Sequence, residues 1–411
     1  MIDGELVDGP FGLRGALGAT FLSQRTVLAV VHSVAAGNRL LDVSRLLEAD
    51  RRVQITFTRP PGALIARGAD EFLAGLGGVV VPWPVVTQTR FDLAIAASHG
   101  HLECINAPVV TMSHGIGFSK YSIRYAGFGP RARLEVAGLE RAELIHRGRV
   151  IPSSVLVPTR RNLDRLRRVL PEAASVGVVA GDPCYDRLAT SMSQRDAYRR
   201  ALGTDGRKLV VVSSTWGSGS LLQRCPELLP QMAEELPQEE YLLIAIVHPN
   251  TWCWHGRRQL LAWYGEAIRR GLIFMPPEEE WRAVLAASDA VIGDHGSVTA
   301  YAAAIGIPVL LATFPDEEVD RESPLRDLAQ IAPWYRAGRS VRSLLPEASA
   351  AWSSENSMAI RARITDMPGQ SARIIRRIMY QLMNLPEPVT EPAVCPVPVP
   401  AVVTGFAVTR P

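Results

Sequence analysis

Short apolar runs recur along the chain, each closed by Gly, Ser, His or Asp, and they alternate with stretches of helical period. Arg25–Val31, Val53–Thr58, Gly77–Val81, Asp92–Ala97, Pro108–Met112, Ser154–Val157 and Val176–Val179 read as one set of strands. Lys208–Ser213, Tyr241–Val247, Leu272–Phe274, Asp289–Ile292 and Pro308–Leu311 read as a second set. These runs are continuously apolar rather than alternating, the mark of strands buried on both faces of a parallel sheet. Helical spacing appears over Arg39–Ala49, Arg160–Val169, Leu221–Leu236, Arg257–Arg270, Glu278–Ala287, Ser297–Ile305 and Ser371–Met383. Two successive βαβ series predict an α/β protein with two doubly wound, Rossmann-like domains face to face, and a cleft between their strand ends is the default site.

The expected division is a lead-in over 1–24, a first domain over 25–200, a second over 201–385 and a tail over 386–411. The joint falls where composition changes, near Arg195–Arg207. The closing helix, about 371–383, is free to pack back on the first domain. Residues around Tyr121–Arg133 read as irregular. The Pro- and Val-rich tail lacks any period and is expected to be disordered.

Composition adds compartment and partners. The 411 residues are 47% apolar and 21% charged, with a formal net charge of +3, too small a charge to argue for nucleic acid. Five cysteines are scattered singly, which argues against a disulfide framework and for a reducing interior. The amino terminus lacks the basic start and apolar run of a signal peptide, and no apolar run spans a bilayer. A cytoplasmic protein is expected, with peripheral contact at the inner face of the plasma membrane left open. The arginine-rich helix Arg160–Val169 is either a solvated face or a surface for a polyanionic acceptor or an acidic membrane.

Candidate chemistry gathers at the strand ends. His32, His99, His114, His248 and His295 each follow a predicted strand. One such histidine is more simply a turn or core residue, but five at the same sheet edges point to a shared site and to general base chemistry. Asp294-His295-Gly296-Ser297 sits between a buried strand and an apolar helix whose free N–H groups favour an anion. Asp294 can take a proton, hold a hydroxyl or orient His295. Ser214–Ser220, with Gly217, is a hydroxyl- and glycine-rich loop before a helix, suited to phosphate or simply flexible. His99, His101 and Cys104 match no standard zinc spacing, so no metal is expected. Trp252, Trp254 and His255 could stack on a base but more simply pack at a helix start.

At these loops the chain resembles the CDP-glycerol glycerophosphotransferases of teichoic acid synthesis. His114-Gly115 with Lys120 resembles the family's His-Gly-Thr-Pro-Leu-Lys, and Gly181–Asp186 its Gly-x-Pro-x-x-Asp. Ser214-Thr215-Trp216 looks like its Pro-Thr-Trp, His248-Pro249 like its His-Pro, and Ala287–Pro308 like its last strand–helix element. The motifs keep their order over about Pro108 to Pro315. The resemblance implies a GT-B fold and a transferase moving a polyol-phosphate or glycosyl group from a nucleotide-diphosphate-activated donor to an acceptor hydroxyl in cell-envelope polymer or related glycoconjugate synthesis.

It implies His114 as general base, with His295 and Asp294 beside it as catalytic candidates. Ser214, Thr215, Gly217, His248, Gly296, Ser297 and Thr299 would hold the donor phosphates, and His32, His99 and Lys120 would lie on the acceptor or cleft side. No cofactor is required. The expected partners are the activated donor and a hydroxyl acceptor, lipid-linked or polymeric, with no nucleic acid. The chain departs from the family at Ile116–Ser119, at Gly217 where an Arg is usual, and at His295-Gly296 where Tyr-Ser is usual. A UDP-sugar 2-epimerase-like enzyme and a GT-B nucleotide-binding protein without catalysis are the alternatives.

Overall fold

A computed structural model describes residues 7–8, 20–62, 68–122 and 135–400. The chain forms two compact units, each an α/β sandwich around a wholly parallel sheet.

The first unit takes residues 1–118, 122–184 and 365–393. Its elements are β1 (Arg25–Val30), α1 (Val34–Glu48), β2 (Val53–Thr58), β3 (Val79–Val80), β4 (Leu93–Ala96), β5 (Val109–Met112), β6 (Ser154–Val157), α2 (Arg160–Val169) and β7 (Gly177–Val179). The seven strands lie in the order β7-β6-β5-β4-β1-β2-β3, all parallel. The switch point, where strand order reverses, lies between β1 and β4.

The helix α1 starts five positions before the expected Arg39. Ser33 caps it, its Oγ accepting the Ala36 N–H at 3.2 Å. The small residues that read as a loop serve packing instead: a Cβ on Gly37 would fall 2.3 Å from the Phe72 ring.

The second unit takes residues 119–121, 185–364 and 394–411. After α3 (Pro183–Ser191), which carries the chain between units, come β8 (Lys208–Ser214), β9 (Tyr241–Val247), β10 (Leu272–Met275), α4 (Trp281–Ala287), β11 (Ala290–Gly293), α5 (Ser297–Ala304) and β12 (Val309–Leu311). The order is β10-β9-β8-β11-β12, again parallel throughout, with the switch point between β8 and β11. Every residue of β9 is buried, as the continuous apolar run requires.

Several boundaries differ from the sequence reading. The division falls at Cys184 and Tyr185 rather than near residue 200. Arg195–Ala201 is helical, and the change in composition beyond it is a turn leading into β8, with Asp205 and Gly206 at positive φ. The helix expected over Leu221–Leu236 is two pieces, Leu221–Arg224 and Leu228–Glu235, because Pro226 lacks the N–H that continuation needs. The helices Pro324–Ile331, Val341–Ala351 and Ser354–Ile364 were not read from the sequence.

The closing helix α6 (Ser371–Leu382) belongs to the first unit, where Ile375, Met379 and Tyr380 join the core that α1 and the sheet share. The tail is a correction as far as residue 400. Its first residues are held by Arg376, which donates to the Glu387 carboxylate at 2.7 Å and the Thr390 carbonyl at 2.6 Å. In the second unit Ser191 Oγ accepts the Val397 N–H at 3.0 Å and Tyr198 donates to the Val397 carbonyl at 2.7 Å. Backbone hydrogen bonds to side chains order a segment that has no period of its own. Residues 401–411 and most of the irregular stretch, 123–134, lie outside the described residues. Among the described residues no helix is long and apolar enough to cross a membrane.

Candidate functional site

The second unit's polar residues converge on its switch point. β8 ends in Ser214 and runs into Thr215–Ser220, while its neighbour β11 runs into Asp294–Gly296 and then α5. Asp294 is fully buried between the two loops. Its Oδ2 accepts the Thr215 and Leu221 N–H groups, both at 2.8 Å, and its Oδ1 accepts the Gly296 N–H at 3.0 Å. Burial pushes this carboxyl up from its ordinary value, while His295, Lys120 and the backbone donors pull the other way. With its oxygens turned to backbone N–H groups, Asp294 is an organiser of the loops rather than a group presented to a ligand.

His295 is also fully buried, with Nε2 3.4 Å from Glu318 Oε2. Among the described residues neither of its ring nitrogens, both buried, makes a hydrogen bond, so Nε2 meets Glu318 at ion-pair distance only, and the buried Thr299 hydroxyl also lacks a hydrogen-bond partner. Gly296 caps α5 without a side chain, so the first N–H groups of the helix and the half-buried Ser297 open onto the loop. Ser214 Oγ accepts the Leu222 N–H at 3.2 Å and donates to the Thr215 carbonyl at 3.0 Å. Gly217 is exposed at φ +88°, a left-handed position that favours glycine.

His248 follows β9 on the other side of β8. Its N–H donates to the Ser214 carbonyl at 3.0 Å, and its Nδ1 accepts the Asn250 N–H at 3.1 Å. Its ring lies 6.1 Å from that of Trp216. Trp252 is buried against Phe274, while Trp254 is half exposed.

Lys120 belongs here, not with His32 and His99. Ser119–Tyr121 joins the second unit through an antiparallel bridge between Lys120 and Val319, and Lys120 Nζ donates to Thr215 Oγ1 at 3.2 Å. Burial lowers its pKa, and the carboxylates of Asp294 and Glu318 raise it.

A parallel arrangement marks the first unit's switch point. His32, after β1, is buried with Nε2 2.9 Å from the Gly100 carbonyl in the loop after β4. That geometry places the proton on Nε2. Burial lowers its pKa, and His101 and His114 push in the same direction. The exposed His114, after β5, has Nδ1 3.1 Å from the Ala97 carbonyl, so Nδ1 carries the proton and Nε2 is the basic atom.

The loop holding His114 is braced by a residue the sequence did not single out. Arg39 of α1 is 4% exposed. It donates to the Gly115 carbonyl at 3.1 Å and forks onto Asp182, itself 2% exposed, at 2.9 and 3.3 Å. His99 turns to Glu143, Nδ1 to Oε2 3.7 Å. The exposed His101, Glu103 and Cys104 bring ligand atoms within 4.8 Å of one another, and His99 is not among them. Arg39 and Glu318 left no local signal, since one sits in an ordinary helical pattern and the other in a run of three acidic residues, Asp316–Glu318.

No protein-family model and no curated protein matches the sequence. Among solved structures, the wall teichoic acid polymerase TagF superposes with a TM-score of 0.60 at 11% identity, in a variant carrying CDPG, covering 88% of this chain and 90% of that one. TagF without that addition gives 0.58 at 12% identity, over 88% and 89% of the two chains. The fold is GT-B. A weaker likeness, TM-score 0.48 at 13% identity over 88% and 99%, is to Anabaena Alr3699/HepE with UDP and glucose. At these identities the GT-B likeness is one of architecture, and chemistry rests on the residues at the switch points.

Proposed function

We propose that this GT-B protein is a transferase that moves a polyol-phosphate or glycosyl group from a nucleoside-diphosphate-activated donor to an acceptor hydroxyl. The observation that carries the reading is the Asp294-stapled pair of loops at the second unit's switch point. They offer the amino end of α5, the hydroxyls of Thr215 and Ser297, and the Lys120 ammonium at one edge of the sheet, while the Ser214 hydroxyl is taken up within its own loop. Backbone N–H groups, hydroxyls and a cation are what a diphosphate needs, and they are worth most where water is excluded. TagF, the GT-B structure above, is described with CDPG, which fits a nucleotide-activated donor.

In this reading the acceptor hydroxyl gives its proton to His114 Nε2 as its oxygen attacks the donor's phosphorus, or the anomeric carbon of a sugar. The bond to the nucleotide's phosphate oxygen breaks, and the charge left on that oxygen is met by the α5 N–H groups and Lys120. Positioning and charge suffice for this chemistry, so no resident cofactor is invoked. His248 fixes the end of β9 beside Ser214, and His32 holds the loop after β4. The acceptor belongs to cell-envelope polymer or related glycoconjugate synthesis. The exposed Arg160, Arg161, Arg167 and Arg168 of α2 suit a polyanionic acceptor or an acidic membrane surface.

Calorimetry against CDP, UDP, GDP and their activated conjugates tests the donor site, and binding by none of them ends the proposal. With a binding donor in hand, His114→Ala is expected to keep nucleotide affinity and lose transfer. Unchanged turnover would remove His114 from the base role.

A further inference from the structure

His295 is expected to meet the donor, yet its ring is sealed from solvent. The group at its Nε2 is a carboxylate of the same chain. Glu318 Oε2 lies 3.4 Å from that nitrogen, and Oε1 lies 3.5 Å from Ser218 Oγ. A Cβ on Gly219 would fall 2.6 Å from Oε1, so the carboxylate rests close against the backbone of the Ser214–Ser220 loop. Lys120, bonded to Thr215 Oγ1, adds a positive charge near the same carboxylate. His295 first, and then Lys120 and Ser218, hold its pKa below the usual range against the opposing effect of burial. An imidazole, a hydroxyl, a glycine backbone and an ammonium are the usual company of a phosphate; here they surround a carboxylate.

The backbone of Glu318 is fixed while its side chain has room to leave. Its N–H donates to the Pro315 carbonyl at 3.1 Å, and its carbonyl accepts the Tyr121 N–H at 3.0 Å. The side chain is 34% exposed, so a change of rotamer toward solvent needs no movement of the turn.

We propose that the Glu318 carboxylate is a built-in occupant of the donor's phosphate subsite, displaced when a nucleoside diphosphate binds. This rests on the donor-site reading above and adds a sign to it. Displacement uncovers His295 Nε2 and removes a negative charge that would repel the incoming phosphate, so a ligand must outcompete a tethered anion. The opposite role, a carboxylate that orients His295 for the donor, predicts weaker binding once it is removed.

The test is calorimetry of UDP, CDP and inorganic pyrophosphate on the full chain, on Glu318→Gln and on Glu318→Ala. Glu318→Gln keeps the shape of the side chain and carries the test if Glu318→Ala melts at lower temperature. Both variants are expected to bind about tenfold tighter, the scale on which losing one like-charge contact shifts affinity. Affinity equal to or below that of the unaltered protein in both variants overturns the displaced-carboxylate proposal alone. Binding by none of the three proteins overturns the donor-site reading and this inference with it.

Discussion

Asp294 accepts the Thr215 N–H at 2.8 Å across the junction of β8 and β11. The same oxygen takes the Leu221 N–H, so one buried carboxylate sets the spacing of the two loops that form the candidate donor site. In the first unit His32 ties the loop after β4 to the end of β1 through the Gly100 carbonyl. Each sheet thus carries a polar staple at the point where its strand order reverses, the place where open α/β sheets bind ligands.

Asp294→Ala leaves three backbone N–H groups buried without acceptors. The expected loss is about 2–4 kcal/mol, read as a lower urea midpoint, with nucleotide binding lost in the same variant. Asp294→Asn keeps one acceptor oxygen and is expected to lose less. A variant as stable as the unaltered protein would show that water or a loop shift replaces the staple.

Arg39 and Asp182 form a buried ion pair. Breaking it from one side leaves an uncompensated buried charge, so Arg39→Met and Asp182→Leu are each expected to cost about 3–5 kcal/mol. The double variant should lose clearly less than the sum, because no charge is stranded. Denaturant unfolding of all four proteins in a double-mutant cycle measures this, and additive losses would refute the coupling. Arg39 also holds the Gly115 carbonyl, so Arg39→Met should lower turnover more than nucleotide affinity.

The pH dependence of stability has a named contributor in the first unit. Asp50 pairs with Arg52 at 2.6 Å and accepts the Tyr380 hydroxyl at 2.7 Å. Arg52 first, then the Tyr380 hydroxyl, hold its carboxyl well below the usual range. A depressed folded pKa contributes stability that is complete above the unfolded value of about 4 and is lost as pH falls through the folded value. Burial first, then Asp50, push the Tyr380 hydroxyl up. Its share is therefore complete below the unfolded value of about 10 and lost as pH rises further. Asp50→Asn is expected to flatten the acid limb of a stability–pH curve recorded by urea midpoints from about pH 3 to 6. A limb of unchanged slope would assign acid sensitivity elsewhere.

The strands were legible because a strand covered on both faces is a continuous apolar run, as in Lys208–Ser214 and Tyr241–Val247. Beyond β12 the closing helix α6 was legible, but Ser354–Ile364 was not, since its buried stripe, Ser357, Ile360 and Ile364, includes a serine while the apolar Met358 is exposed. The start of α1 was misplaced because Ala35-Ala36-Gly37 reads as a loop until Phe72 is seen packed over Gly37. At the site, the polar residues after each strand could be named from the sequence. Their tasks could not: Asp294 is a staple between loops, and Lys120 joins the second unit's loops at Thr215.

The order of apolar and polar positions by itself determined two parallel α/β sheets, because burial on both faces permits little else, and it placed the polar residues at their carboxyl edges. Which strands are neighbours, and so which loops touch, was decided only by tertiary structure. Asp294 reaches Thr215, 79 positions away, and Arg39 reaches Asp182, 143 positions away. A bridge between distant segments, Lys120 and Val319, brings Lys120 to Thr215 beside the place where Glu318 reaches His295. Hydrogen bonds and ion pairs depend on separations of a few ångströms in space, and spacing along the chain carries no record of them.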